Sequence, residues 1–306
     1  MFRTLASAIQ WFLSRVLVIY IILFIFIISF VDLKAFDMRI KIRRLNNAIP
    51  DFSDMIIFSK DPKAKIEVDW KSYQRYFEII MKYMPDDLVS RQLLGYADYY
   101  SGQEQKAIDL LQTSSVLNGQ NLFWPNYNLG IIYYKRGMWP QAAQCFLKVV
   151  SSSPKLTLFL MENSIVYKQI FASPYFKYSI SDEIKDAQSE ANILLLSCLY
   201  SMRQYDKVIL LSNLAITNDL SYKDAFYNYA GLSYFAAGQY QKAFVLFQKS
   251  LTIEKNDPET YYYISGIFQK AGQLEQARAF LQISYTLHQK NDPRFPYESQ
   301  DSLRFF

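Results

Sequence analysis

Nothing limits the fold of this chain more than the placement of its nine glycines. Three pairs stand seven residues apart: Gly95 and Gly102, Gly130 and Gly137, Gly231 and Gly238. The first two pairs are offset by 35 residues, and 34 residues beyond the third pair the frame returns as Ser265 and Gly272. A period near 34 residues marks a solenoid of helical hairpins. One hairpin cannot bury its apolar face alone, so successive units must stack.

The residues around the glycines repeat with them. Leu129-Gly130, Tyr133, Gly137, Trp139, Ala142, Phe146 and Pro154 make one unit, and Gly231, Tyr234, Gly238, Tyr240, Ala243, Phe247 and Ser250 a second. A third reads Ser265, Phe268, Gly272, Leu274, Ala277, Leu281 and Ser284. An earlier one reads Leu94-Gly95, Gly102, Ala107, Leu111 and Ser114, with Asp98 where the others carry an aromatic ring. This pattern resembles the tetratricopeptide repeat. The resemblance implies an all-α, right-handed α-solenoid over residues 69–290, with about four to six helix-turn-helix repeats. In each repeat a small residue of helix A lets helix B approach, and a left-handed Gly ends helix A.

Other stretches fit the frame less well. Leu195, Leu196, Leu199, Tyr205, Val208 and Ala215 follow it loosely, with Arg203 at the turn-glycine position. Ser164 and Tyr167 stand 34 residues after Gly130 and Tyr133, which predicts a helix A over 156–171. Ser173-Pro174-Tyr175-Phe176 then spoils its partner, giving a distorted repeat with a loop. Residues 70–84 read as a lone helix B with Asp69 as its N-cap.

The front of the chain follows a different rule. Val16 to Val31 carries no charge, and sixteen helical residues rise about 24 Å against a hydrocarbon core of ~30 Å. Trp11, Phe12, Leu13 and Leu33 lengthen the run, with Trp11 and Tyr20 as interfacial anchors. No polar stripe makes it a surface helix, and Ser29-Phe30-Val31 is a poor cleavage site. The expectation is one uncleaved transmembrane helix within residues 1–33, ahead of the solenoid. Residues 34–68 then form a basic juxtamembrane segment and linker. Lys34, Arg39, Lys41, Arg43 and Arg44 stand there against Asp37 alone, so a net charge of +5 sits largely beside the apolar run. That placement fits a lipid surface rather than nucleic acid, and puts the repeats on the cytoplasmic side. The tail, 291–306, contains Pro293 and Pro296 and offers no polar capping helix.

Composition and reactive residues argue against catalysis. With 51% hydrophobic and 17% aromatic residues the chain is not disordered. Cys145 and Cys198 lie in apolar runs, and His288 has no convergent partner in the sequence. No phosphate-binding glycine loop occurs, and no catalytic, cofactor or metal site is expected.

What the resemblance does imply is a groove. Helix A positions turned away from helix B line the inner face of such solenoids. Here they are Val89, Gln92, Tyr96 and Tyr99, then Trp124, Tyr127, Ile131 and Tyr134. Asn228, Leu232 and Phe235 follow, then Tyr262, Gln269 and Lys270. An apolar, Tyr-rich groove suits an extended or helical protein segment with apolar anchors. The expected function is a membrane-tethered scaffold that assembles other proteins. The alternative is a receptor-like module taking a peptide or small ligand in the same groove.

Overall fold

The protein is described here by a computed structural model covering residues 16, 19, 20, 23, 67–164, 166–168, 179–218 and 220–290, without the last two side chains. The described residues are helical almost throughout. The helices are α1 (Trp70–Tyr83), α2 (Leu88–Tyr100), α3 (Glu104–Thr113), α4 (Phe123–Lys135), α5 (Trp139–Val150) and α6 (Pro154–Asn163). After these come α7 (Ile180–Ser201), α8 (Tyr205–Thr217), α9 (Lys223–Ala236), α10 (Tyr240–Ile253), α11 (Pro258–Lys270) and α12 (Leu274–Lys290). A two-stranded hairpin, β1 (Val116–Leu117) with β2 (Gln120–Asn121), joins α3 to α4.

Antiparallel pairs repeat along the chain: α2 with α3, α4 with α5, α7 with α8, α9 with α10, and α11 with α12. Ahead of them α1 packs on α2, its first turn capped by Asp69, whose Oδ1 accepts from the Ser72 amide at 3.2 Å. Every first helix ends the same way. Gly102, Gly137, Gly238 and Gly272 have φ between 68° and 86°. At Gly137 the amide donates to the Tyr134 carbonyl and the next amide, Met138, to the Tyr133 carbonyl, both at 2.9 Å. That double bond satisfies carbonyls which would otherwise be orphaned at the helix end. Arg203, at φ 59°, makes the same pair of bonds without being glycine.

The small residue of helix A is where the second helix enters. A Cβ on Gly130 would lie 2.5 Å from the Phe146 ring, and one on Gly231 would lie 2.6 Å from the Phe247 ring. Gly95 meets Leu111 in the same register, sixteen residues on. In the α7–α8 pair the sizes are exchanged. Leu196 takes the glycine position and Ser212 the ring position, and both are buried. Keeping the summed volume constant keeps the core filled.

One expectation about the order of helices is corrected. The helix A predicted over 156–171 is not the repeat that follows α5. Helix α6 ends at Asn163, Ser164 is non-helical, and only 166–168 are helical again among the described residues there. It is α7 that packs on α5 and continues the stack. The frame residues Ser164 and Tyr167 recur by spacing, but they belong to an insertion lying across the solenoid.

Apolar packing runs unbroken from α1 to α9, and a smaller cluster around Ala243, Phe247, Ile264 and Ile267 serves α10 and α11. Among the described residues no helix is long and apolar enough to cross a membrane. The expected anchor, 1–33, lies outside them except for Val16, Ile19, Tyr20 and Leu23. Residues 34–66 and the tail 291–306 also lie outside.

Candidate binding surfaces

The stripe expected to line a groove is mostly interior. Tyr96, Trp124, Tyr127 and Ile131 are buried, Val89, Gln92 and Asn228 nearly so. Tyr99, Tyr134, Leu232 and Phe235 are half-buried, and Tyr262, Gln269 and Lys270 are exposed.

The reason is visible in two hydrogen bonds. Tyr127 donates from its hydroxyl to Glu190 Oε2 at 2.9 Å, and the Tyr134 and Ser197 hydroxyls meet at 2.9 Å. Both pairs are 63 residues apart, so α4 and α7 run parallel and in register. The position three residues before the helix A glycine therefore faces the next helix A. Asn228 holds that position in α9, and it too reaches the following repeat. Its Nδ2 donates to Asp257 Oδ2 at 3.0 Å, and its Oδ1 accepts from Thr260 at 2.9 Å. Tyr96 instead faces backwards, its ring 5.8 Å edge-on from Trp70 of α1. These positions join repeats, where the sequence pattern predicts an open groove face.

Trp124 is covered by the insertion. Its indole Nε1 donates to Met161 Sδ of α6 at 3.2 Å, and the buried Tyr167 hydroxyl reaches Gln92 Oε1 at 3.4 Å. Burial pushes the Tyr167 phenol well above its ordinary pKa. Residues 154–164 and 166–168 thus lie over α2 and α4, where an open inner face was expected.

Beneath that cover a cavity of about 190 Å³ remains. Val89 and Gln92 of α2, Trp124 of α4 and Leu160 of α6 form walls, while Leu117 and Leu122 close the hairpin side. Asp86 and Asp87 stand at its edge. Reading the glycine frame missed this site, because no repeat position marks an insertion. Asn118-Gly119 was nonetheless a legible signal for the hairpin wall. With φ of 49° and 77° it makes the tight left-handed turn that Asn-Gly favours.

Toward the C-terminal end of the described residues the corresponding positions are exposed. Tyr262, the α11 counterpart of Tyr127, is 55% exposed, and Leu281 and Tyr285 of α12 are also open.

Both cysteines are buried. Burial pushes the Cys145 thiol up to about 11 and Cys198 to about 12, which leaves both as inert packing groups. His288 Nε2 lies 3.3 Å from Glu259 Oε1, tying α12 to the start of α11. Among the described residues no three His, Cys, Asp or Glu side chains are grouped to hold a metal.

Comparison with known proteins agrees with the frame. Tetratricopeptide repeat models match residues 126–155 and 234–295. Both stretches are similar to tetratricopeptide repeats. No curated protein matches it. Among solved structures, a crystal structure of MamA is 19% identical, covering 64% of this chain and 95% of that one, with a TM-score of 0.47. MamA from Desulfovibrio magneticus RS-1 (residues 41 to the end) is 16% identical, covering 68% and 98%, with a TM-score of 0.47. BtubC from P. vanneervenii is 15% identical, covering 74% and 92%, with a TM-score of 0.41.

Proposed function

We propose that this chain is a membrane-tethered, non-catalytic scaffold whose repeats recruit partner proteins. The observation that carries the reading is the exposure of large apolar side chains on α11 and α12. Position 127 buries against a following helix, whereas its counterpart Tyr262 is exposed, as are Leu281 and Tyr285 of α12. Exposed apolar side chains grouped at a stack end are the usual mark of an interaction surface. The tether is supported by the uncharged run Val16–Val31 and the basic segment after it. Of its described residues, Ile19, Tyr20 and Leu23 are helical and half or more exposed, as lipid-facing side chains would be. The basic excess after the run favours a cytoplasmic repeat domain.

Two measurements test this. Full-length chain should stay with the membrane after carbonate washing; release into the soluble fraction would remove the tether. Affinity purification in mild detergent should recover partner proteins, and Tyr262→Asp with Tyr285→Asp should lose them while melting stays unchanged. Unaltered recovery would move the surface elsewhere.

A second reading is favoured by one observation, the cavity under the insertion. It would make the domain a receptor-like module for a peptide or small ligand, with the same tether.

A further inference from the structure

We infer that the cavity between α2, α4 and α6 binds a small, uncharged aromatic molecule of single-ring size. The inference rests on the receptor-like reading and names its ligand.

Size comes first. An apolar cavity of roughly 150 Å³ admits benzene. At about 190 Å³ this one holds a single substituted ring and little more. Val89, Leu117, Leu122 and Leu160 give it aliphatic walls. Phe123 and Trp124 add aromatic ones, their rings edge-on with centroids 4.7 Å apart. The Met161 thioether also lines the space. An aromatic occupant gains edge-to-face contacts with the rings and a sulfur contact with Met161, which an aliphatic group of equal volume does not.

The polar groups on the walls are already engaged. The Trp124 indole N–H donates to Met161 Sδ, the Tyr167 hydroxyl to Gln92 Oε1, and the Thr157 hydroxyl to the Ser153 carbonyl at 3.1 Å. Charge is balanced as well. Asp86 and Asp87 line the α2 side. Asp87 caps α2, its Oδ2 accepting from the Ser90 amide at 3.2 Å, so its charge rests on the positive end of that helix. The Arg91 guanidinium donates to the Pro85 carbonyl at 2.7 Å, one residue from Asp86. The first turn of α4 lines the cavity too, and it has no side-chain cap. Two carboxylates thus stand among a guanidinium and two helix N-termini, and neither sign of ion is selected. An ion entering would lose its hydration without a matching partner, whereas a neutral ring loses nothing by leaving water.

Asp86 is exposed, so the cavity reaches solvent on that side. A free molecule is favoured over an aromatic side chain, because one ring already uses the volume. The main chain of a peptide would be left outside, beside the solvated carboxylate.

The test uses full-length chain in phosphatidylcholine nanodiscs, with its tryptophans replaced by 5-fluorotryptophan. Fluorine NMR then reads the wall itself, since the Trp124 resonance is identified by its loss in Trp124→Phe. Four probes share one size: benzyl alcohol, protonated benzylamine, benzoate and cyclohexylmethanol. A blocked Gly-Gly-Phe-Gly-Gly peptide presents the ring on a main chain. Benzyl alcohol should shift Trp124 saturably and leave Trp139 of α5, which does not line the cavity, unmoved. The charged probes should bind at least about tenfold more weakly, and cyclohexylmethanol roughly two- to tenfold more weakly. Val89→Phe puts a ring into the space and should abolish the shift. Melting by circular dichroism shows that the variant folds; Leu160→Phe replaces it if it does not. A charged probe binding as tightly as benzyl alcohol overturns the requirement for an uncharged ligand. Equal binding of cyclohexylmethanol overturns the requirement for an aromatic one. A peptide binding more tightly than benzyl alcohol overturns the free molecule as occupant. Each of these outcomes leaves the receptor-like reading standing. A Trp124 resonance that no probe moves, or a shift that survives in the filled variant, overturns the inference and the receptor-like reading together, and leaves the scaffold reading to the purification experiment.

Discussion

Tyr127 and Tyr262 occupy the same place in the repeat, three residues before the small residue of helix A, and their surroundings are opposite. Tyr127 has no exposed surface; Tyr262 is 55% exposed. Nothing about the two rings or their helices explains the difference. What differs is the neighbour. After α4 comes α7, which supplies Glu190 to the tyrosine hydroxyl, and after α11 and α12 no described helix follows. Exposure in a solenoid is a property of the stack and not of the repeat, because each unit contacts only its neighbours. The insertion, residues 154–164 and 166–168, sharpens the contrast by covering Trp124 of α4 and Gln92 of α2.

The strongest way to break that comparison is to truncate both rings. Tyr127→Ala removes a buried aromatic that stacks against Phe123 and meets Phe146 edge-on at 6.3 Å. The expected loss is about 3–5 kcal/mol, with Glu190 losing a donor as well. Tyr262→Ala should change stability by about 0.5 kcal/mol or less. Urea unfolding of the two variants decides the matter. Similar losses would mean that Tyr262 is covered in solution, and the contrast between the two rings would not hold.

A smaller effect probes the contact inside each hairpin, which the two regions share. Gly130→Leu and Gly231→Leu both drive a side chain into a ring, Phe146 or Phe247. Each should cost about 1–3 kcal/mol, whereas Lys135→Leu, exposed on the same helix as Gly130, should cost little. The larger loss is expected at Gly130, because Phe146 belongs to the extended core and Phe247 to the smaller cluster, where neighbours can shift. Equal melting of Gly130→Leu and Lys135→Leu would refute the frame itself.

The hairpins were legible because their signals are local. A left-handed glycine and a small residue sixteen positions before a large apolar one are demands of one helix pair, so residues 95–111, 130–146 and 231–247 announced them. The binding surface was not legible for the same reason turned round. Periodicity puts Trp124, Tyr127, Ile131 and Tyr134 on one side of a helix but does not say what lies against that side. Glu190 is 63 residues away from Tyr127 and Met161 is 37 from Trp124, and no pattern in the sequence links them. Ser164 and Tyr167 mislead most instructively. They match the repeat by spacing, while the Pro and Ser around 173–174 already showed that the unit could not close.

The smallest effect expected is a gain. Arg203 stands where every other hairpin has glycine, at φ 59°, with its amide bonded to the Tyr200 carbonyl at 2.8 Å. A side chain in that conformation costs roughly 1–2 kcal/mol, from the close approach of Cβ to the carbonyl oxygen. The residue is exposed, so its removal opens no cavity. Glycine would relieve the strain and return part of the gain as unfolded-state entropy, about 0.5–1 kcal/mol. Arg203→Gly should therefore stabilise by about 0.5–1 kcal/mol, raising the melting temperature by roughly 1–4 °C for a domain of this size. The reciprocal change, Gly137→Ala, should lower it by a similar amount; its Cβ would meet only Trp139, at 3.8 Å, so strain and not a clash would be responsible. Calorimetry of the pair separates the two hairpins. Opposite shifts of similar size make α7–α8 an ordinary hairpin bearing one unfavourable residue. No gain at Arg203 would mean that its long side chain compensates through packing along the turn.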